Sequence, residues 1–198
     1  FGVPLLGGDT TSSQDRIAIN VTAIGRIARA KVKYRSGARE NDIVYVTGYL
    51  GDSAQGLLDI RSGVYDSPFI AVHHDPHPCV NEGIWLGNQP EVHAMMDISD
   101  GLASDLPHIL EESETGAEIS IERIPTRTTV ELAVTGGEDY QLLLTVGAEA
   151  ADRIAAEYVR HFGKPLYGIG RIRSGAPDII WSDNGEVVRP QWKGFRHF

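Results

Sequence analysis

Apolar and polar positions along the chain mark out a succession of short strands and helices. Ile17, Ile19, Val21 and Ala23 alternate with polar neighbours, the period of a half-buried strand. Ile43 to Thr47 is a short apolar run of the kind that forms a buried strand. Asp52 is placed to cap a helix that turns Ala54, Leu57 and Leu58 inward. Asn81 to Gly87 continues as a short helix with Trp85 in the core. The run Val92 to Met96 reads as a strand, and Leu102, Leu106, Ile109 and Leu110 then repeat at helical spacing. Further strands are expected at Ala117 to Ile121 and Tyr140 to Val146. Ala151, Ile154, Ala155, Tyr158, Val159 and Phe162 form one face of an amphipathic helix. Ile179 to Trp181 and Val187 to Val188 flank Asn184-Gly185, a hairpin signal. No internal repeat or low-complexity stretch interrupts this order.

Three polar motifs sit between these elements. Met96-Asp97-Ile98-Ser99-Asp100-Gly101-Leu102 joins a strand to a helix. A helix N-terminus offers backbone N–H groups to a phosphate, and its carboxylates suit a hard cation. Ordinary helix capping uses the same residue types. Gly7-Gly8-Asp9-Thr10-Thr11-Ser12-Ser13 combines paired glycines, one carboxylate and four hydroxyls. It fits a close approach to a ligand, and it also fits a polar hairpin loop. Gly136-Gly137-Glu138-Asp139-Tyr140 places two acids after two glycines, more than a turn requires, since Glu has no special use there. His73-His74-Asp75-Pro76-His77-Pro78 invites a zinc reading, but adjacent histidines followed by two prolines suit an extended linker better.

Composition narrows the classes without choosing among them. A chain of 198 residues, 41% of them hydrophobic, can bury a real core. No apolar run approaches a membrane span, and the start does not read as a signal peptide. Phe1-Gly2-Val3-Pro4 reads like the middle of a protein. The lone Cys79 excludes an internal disulfide framework and suits a reducing cytoplasm, where it is expected to be a packed thiol. Asn20-Val21-Thr22 matches a glycosylation sequon that has no meaning without secretion. A net charge of −9 argues against nucleic acid as a partner. It also opposes phosphorylated substrates, unless several Mg²⁺ ions lie between carboxylates and phosphates. Neither a Walker-A loop nor a G-x-G-x-x-G is present.

In order along the chain, GGDTT, the turn Arg35-Ser36-Gly37-Ala38 at the end of a strand, VTGxLGDSAxGL (Val46 to Leu57), DISDGLxxDL (Asp97 to Leu106), GGEDYxLL (Gly136 to Leu143) and WKGFxHF (Trp192 to Phe198) resemble the thiamine-monophosphate kinase family. That family lies within the aminoimidazole ribonucleotide synthetase superfamily. DISDGL and GGED recur more loosely across the superfamily, whereas GGDTT with the distant WKGFxHF is more specific. The resemblance implies an α+β fold, a mixed β-sheet layered with helices. Residues 1–27 would be the last loop and strand of an N-terminal ATP-binding domain, and residues 28–198 the C-terminal domain. The remainder of the N-terminal domain, with its early acidic motifs, is absent from the sequence, and a chain truly beginning at Phe1 is expected to be almost inactive. The stretches 63–73 and 125–132 are short against the family pattern.

The implied reaction moves the γ-phosphate of ATP onto thiamine monophosphate, giving thiamine diphosphate by direct in-line transfer. The acceptor oxygen already belongs to an ionised phosphate, so no general base is expected. Positioning and cations would supply the catalysis. By resemblance, Gly8, Asp9, Arg35 and Ser99 bind ATP. Asp9, Asp97 and Asp100 hold Mg²⁺, and Glu138 and Trp192 contact the substrate. A carboxylate and an indole face both attract the fixed positive charge of a thiazolium. Glu138 is otherwise a surface acid, and Trp192 otherwise covers the sheet. Asp52 is expected as a cap and Asp139 as a turn residue. The family is a cytoplasmic homodimer. The alternatives are another ATP-dependent synthetase of the superfamily and a nucleotide-binding fragment without catalysis.

Overall fold

A computed structural model of the chain describes residues 2–192. It divides into two units, residues 1–32 and 33–198. In the first, the only regular element among the described residues is a 3-10 turn, Arg29–Lys31. The alternating Ile17, Ile19 and Val21 do not form a strand and are 84 to 91% exposed. The alternation is real, but a strand exists only when another pairs with its N–H and C=O groups. No described segment does so.

The described residues of the second unit are built on seven strands in the order β2-β4-β1-β5-β3-β6-β7. These are β1 (Ile43–Val46), β2 (Val92–Asp97), β3 (Gly116–Ser120), β4 (Leu142–Val146), β5 (Tyr167–Arg173), β6 (Ile179–Asp183) and β7 (Glu186–Val188). Neighbours run antiparallel, except β3 and β6, which are parallel. The sheet is therefore mixed, and the fold is α+β. Among the described residues six helices accompany it: α1 (Asp52–Arg61), α2 (Pro68–His74), α3 (Val80–Gly87), α4 (Leu102–Ser113), α5 (Val130–Thr135) and α6 (Ala151–Phe162). Among the described residues no helix is long and apolar enough to cross a membrane.

Strand alternation sends side chains to two separate cores. Val44, Val46 and Leu143 join Leu102, Leu106, Ile109 and Leu110 of α4 and Ala133 and Val134 of α5. Tyr45, Leu144 and Val146 join Leu86 of α3 and Ile154 and Tyr158 of α6. A register shift between Val92 and Ala94 lets β2 contribute Val92 to one core and Ala94 to the other. Cys79 is buried, as a packed thiol should be, and burial pushes its pKa up.

Several local expectations change. His73 and His74 end α2 rather than lying in an extended linker. Ser67 caps that helix by accepting from the Phe69 N–H, and Pro68 opens it. The inward face of α1 is Asp52, Ser53 and Gly56, while Leu58 is 44% exposed. Arg35 to Gly37 form a 3-10 turn with no strand before it. Residues 193–198, most of the WKGFxHF motif, lie outside the described residues.

Candidate active-site cleft

The acidic motifs at residues 97–101 and 136–140 meet because β2 and β4 are antiparallel neighbours. The end of β2 lies beside the start of β4, with Asp97 opposite Leu142. The pairing continues past both strands: the Ile98 N–H donates to the Gln141 carbonyl at 2.8 Å, the Tyr140 N–H to Ile98 at 2.9 Å, and the Glu138 N–H to Ser99 at 2.8 Å. The two loops are thus one hydrogen-bonded unit. Gly137 is required by this closeness, because an added Cβ would overlap the Ser99 carbonyl oxygen. Gly101 has a φ of +101° and packs on the Gly136 carbonyl, so a side chain there would be both strained and blocked.

Each loop is fastened from below by a buried carboxylate. Asp105 in the first turn of α4 is 2% exposed. Its Oδ2 accepts from the N–H groups of Ser99 and Asp100, both at 3.0 Å. Burial raises its pKa, those two N–H groups lower it, and the charges of Asp100 and Asp97 raise it again. Two N–H groups expected to be open to a phosphate are therefore already taken.

Asp139 points inward from the other loop. Its Oδ2 accepts from the Gly51 N–H at 2.7 Å and its Oδ1 from the Ser53 N–H at 3.2 Å. Asp139 is thus the side-chain cap of α1, supplied from a distant segment. Asp52, the expected cap, is the first residue of that helix and instead pairs with Arg127. Burial pushes the Asp139 pKa up to about 6 against the lowering effect of the Gly51 and Ser53 N–H groups.

Glu138 and Tyr140, on either side of Asp139, both have positive φ, +70° and +49°. Such geometry in residues with a Cβ costs on the order of 1–3 kcal/mol each and collects at functional sites. The Tyr140 hydroxyl donates to Glu138 Oε2 at 2.8 Å. That bond, then burial, then the charges of Glu138, Asp97 and Asp100 hold the phenol proton on. Glu138 is thus tied directly to that hydroxyl, and the charges of Asp97 and Asp100 bear on it as well.

Above these loops opens a cleft of about 490 Å³. Ser99, Asp100, Gly137 and Glu138 line its polar side, and Ala54, Leu57, Leu58 and Leu132 its apolar side. His73 also borders it and is fixed by a 2.9 Å hydrogen bond with Ser53 Oγ.

Two other expected site residues of the second unit, Arg35 and Trp192, lie elsewhere in it. Ser113 at the end of α4 donates its hydroxyl to the Arg35 carbonyl at 2.7 Å. Arg35 is therefore anchored one helix length away from the Asp97–Asp100 loop, roughly 18 Å at 1.5 Å per residue. Trp192 packs edge-on against Trp181 of β6, with ring centroids 5.1 Å apart. Since β6 is four strands from β4, Trp192 is roughly 19 Å across the sheet from the strand that follows Glu138. In the first unit, Asp9 Oδ1 accepts from the Thr10 N–H at 2.8 Å, and Gly8 has nothing near its Cα that a methyl would touch.

Among the described residues no group of three or more His, Cys, Asp or Glu forms a ready metal site. The all-oxygen set of Asp97 and Asp100 still suits Mg²⁺, which keeps several waters and takes one or two protein carboxylates beside substrate phosphates. Sequence reasoning missed Asp105 and Asp139 as supports. Asp105 lies within the DISDGLxxDL motif, but the partner of Asp139 is more than eighty positions away and leaves no local signal.

Residues 39–181 match the family model of AIR synthase related proteins, C-terminal domain. Over its whole length the chain is 34% identical to thiamine-monophosphate kinase of Escherichia coli strain K12, and spans 64% of that protein. The structure of thiamine-monophosphate kinase from Stenotrophomonas maltophilia K279a is similar with a TM-score of 0.71 and 27% identity, over 82% of this chain and 56% of that one. AaThiL complexed with AMPPCP and TMP is similar with a TM-score of 0.65 and 31% identity, over 83% of this chain and 53% of that one. With the paired acidic loops, the mixed sheet and a family match over most of its length, the chain belongs to the AIR synthase related proteins.

Proposed function

We propose that the protein phosphorylates thiamine monophosphate from ATP, giving thiamine diphosphate. The observation that carries the reading is the hydrogen-bonded pair of acidic loops at the mouth of a half-apolar cleft. Support comes from relatives named thiamine-monophosphate kinase and from a 31% identical structure complexed with AMPPCP and TMP. In this reading Asp97 and Asp100 would hold Mg²⁺, with Asp9 as a further ligand. Bound Mg²⁺ would neutralise charge on the phosphates as it shifts during transfer.

The chain's own residues would do the rest. Ser99 meets the nucleotide at the polar side of the cleft, and Gly8, Asp9 and Arg35 are its further contacts. Glu138, oriented by the Tyr140 hydroxyl, offers its charge to the thiazolium, and the apolar side of the cleft excludes water from the ring. Trp192 would contact the substrate from its own place on the sheet. The acceptor phosphate attacks without a protein base. Residues 1–27 would belong to an N-terminal ATP-binding domain and residues 28–198 to the C-terminal domain of a cytoplasmic homodimer.

The test is to supply the purified full chain with ATP, Mg²⁺ and thiamine monophosphate and measure thiamine diphosphate. A panel of other phosphate acceptors runs in parallel. Asp97→Asn should cut turnover by at least about a hundredfold with the fold unchanged, as expected when charge that holds a catalytic cation is lost. Product from another acceptor but none from thiamine monophosphate would overturn the proposal, and near-normal turnover in folded Asp97→Asn would make Asp97 a mere strand end.

A further inference from the structure

We propose that Asp105 is a positioning residue for the cation-binding carboxylates, an inference that rests on the functional reading above. The loop from Asp97 to Gly101 carries the carboxylates assigned to Mg²⁺, and its backbone is held at Ser99 and Asp100 by one oxygen of Asp105. That oxygen is itself fixed. Asp105 sits on the first turn of α4, whose Leu102, Leu106, Ile109 and Leu110 are all fully buried. The helix therefore transmits the rigidity of the core to the loop.

A purely structural tie would not need a charge here. A single carbonyl oxygen can accept both N–H groups, and an asparagine supplies one. The side chain is instead a carboxylate, 2% exposed and hydrogen-bonded to the backbone of the loop that carries Asp97 and Asp100. Such a group is electrostatically costly unless positive charge arrives nearby. A cation on Asp97 and Asp100 supplies it. Asp105 thus does two things from one place: it sets the loop backbone, and it adds negative potential behind the cation. Partners of metal-binding groups commonly change affinity about 10- to 100-fold when removed.

The test uses the full chain and Mn²⁺ alone, titrated by the electron paramagnetic resonance signal of the free ion. Asp105→Ala should weaken Mn²⁺ at least about tenfold while the folded baseline in circular dichroism is kept. Asp105→Asn keeps an oxygen for both N–H groups and should recover part of that loss. Asp105→Glu keeps the charge but moves the carboxylate by one methylene, and should weaken Mn²⁺ as well; it serves if the alanine variant does not fold. Parent-like Mn²⁺ affinity in folded Asp105→Ala or Asp105→Glu would overturn the proposal, as would a parent that binds no Mn²⁺. Binding that depends on Asp105 in a protein that makes no thiamine diphosphate would sustain this inference while the functional proposal falls.

Discussion

Replacing Asp139 by asparagine sets two opposing effects against each other, and pH separates them. In the parent each carboxylate oxygen has its own donor. Oδ2 takes the Gly51 N–H at 2.7 Å and Oδ1 the Ser53 N–H at 3.2 Å. Asparagine has one oxygen, so either orientation turns an NH₂ toward a buried backbone N–H. The shorter bond to Gly51 should keep the oxygen, leaving Ser53 without an acceptor at a cost of about 1–3 kcal/mol. The opposite effect comes from charge. Burial raises the Asp139 pKa from 3.8 to about 6, so holding it ionised at neutral pH costs the folded parent roughly 3 kcal/mol at 1.36 kcal/mol per pH unit. Asparagine never incurs that cost.

The sign follows from linkage. The folded state binds the Asp139 proton more tightly than the unfolded state does. Stability from this group is fully present below its unfolded value of 3.8 and is lost as pH rises through about 6. Relative to Asp139→Asn, the parent should therefore lose about 2.4 kcal/mol between pH 4 and pH 7.5, most of the full difference. The other carboxylates are common to both proteins and cancel in the difference. Urea unfolding of both proteins at half-unit pH steps measures it. A difference that stays flat within about 0.5 kcal/mol over that range would refute the reasoning. It would mean that the α1 N-terminus stabilises the carboxylate as fully as burial penalises it.

Substitutions at two further positions probe the cleft and the packing of Trp192 on β6. Gly137→Ala puts a Cβ into the Ser99 carbonyl and within 3.3 Å of Asp100 Cα, so the loops must part. The protein should lose about 1–3 kcal/mol and bind thiamine monophosphate more weakly, read by thermal unfolding and substrate titration. Trp192→Ala removes the edge-on pair with Trp181, about 0.5–1.5 kcal/mol beyond buried area, and Trp192→Phe should restore part of it. A contact with substrate further requires that thiamine monophosphate weaken while ATP does not; equal weakening of both would make Trp192 a wall of the core.

Much of the fold was legible because one face of each element is buried. The periods around Val92 to Leu110 and Ala151 to Phe162 lead straight to β2, α4 and α6, and Asn184-Gly185 marks the turn from β6 to β7 with both residues at positive φ. β5 was not legible. It is central, yet Gly168 and Gly170 interrupt its apolar pattern, and Gly170 is there because the Glu118 carbonyl passes too close for a Cβ. The caps of α2 and α5, Ser67 before Pro68 and Thr129, were available in the sequence and outweighed by the histidine–proline run and by short spacing. For the site, Asp97, Ser99, Asp100 and Glu138 were recognisable as motifs. Their meeting depends on β2 pairing with β4, which no local pattern encodes.

The acidity of the chain and its proposed phosphate chemistry meet in how the helix N-termini are used. The positive end of a helix ordinarily favours an anion by about 0.3–1 kcal/mol, and a phosphate at a cleft would seek it. Here N–H groups at the start of α1 and just before α4 are given to Asp139 and Asp105. Both carboxylates come from the chain itself and are buried, so a ligand does not displace them without exposing their charge. What the loops then turn outward is carboxylate, from Asp97, Asp100 and Glu138, beside an apolar wall. Such a surface repels bare phosphate and attracts positive charge, whether the ring of a cationic heterocycle or the metal that accompanies a nucleotide. Under the proposed function an anionic substrate would enter together with its cations, and the internal capping of both helices favours that arrangement.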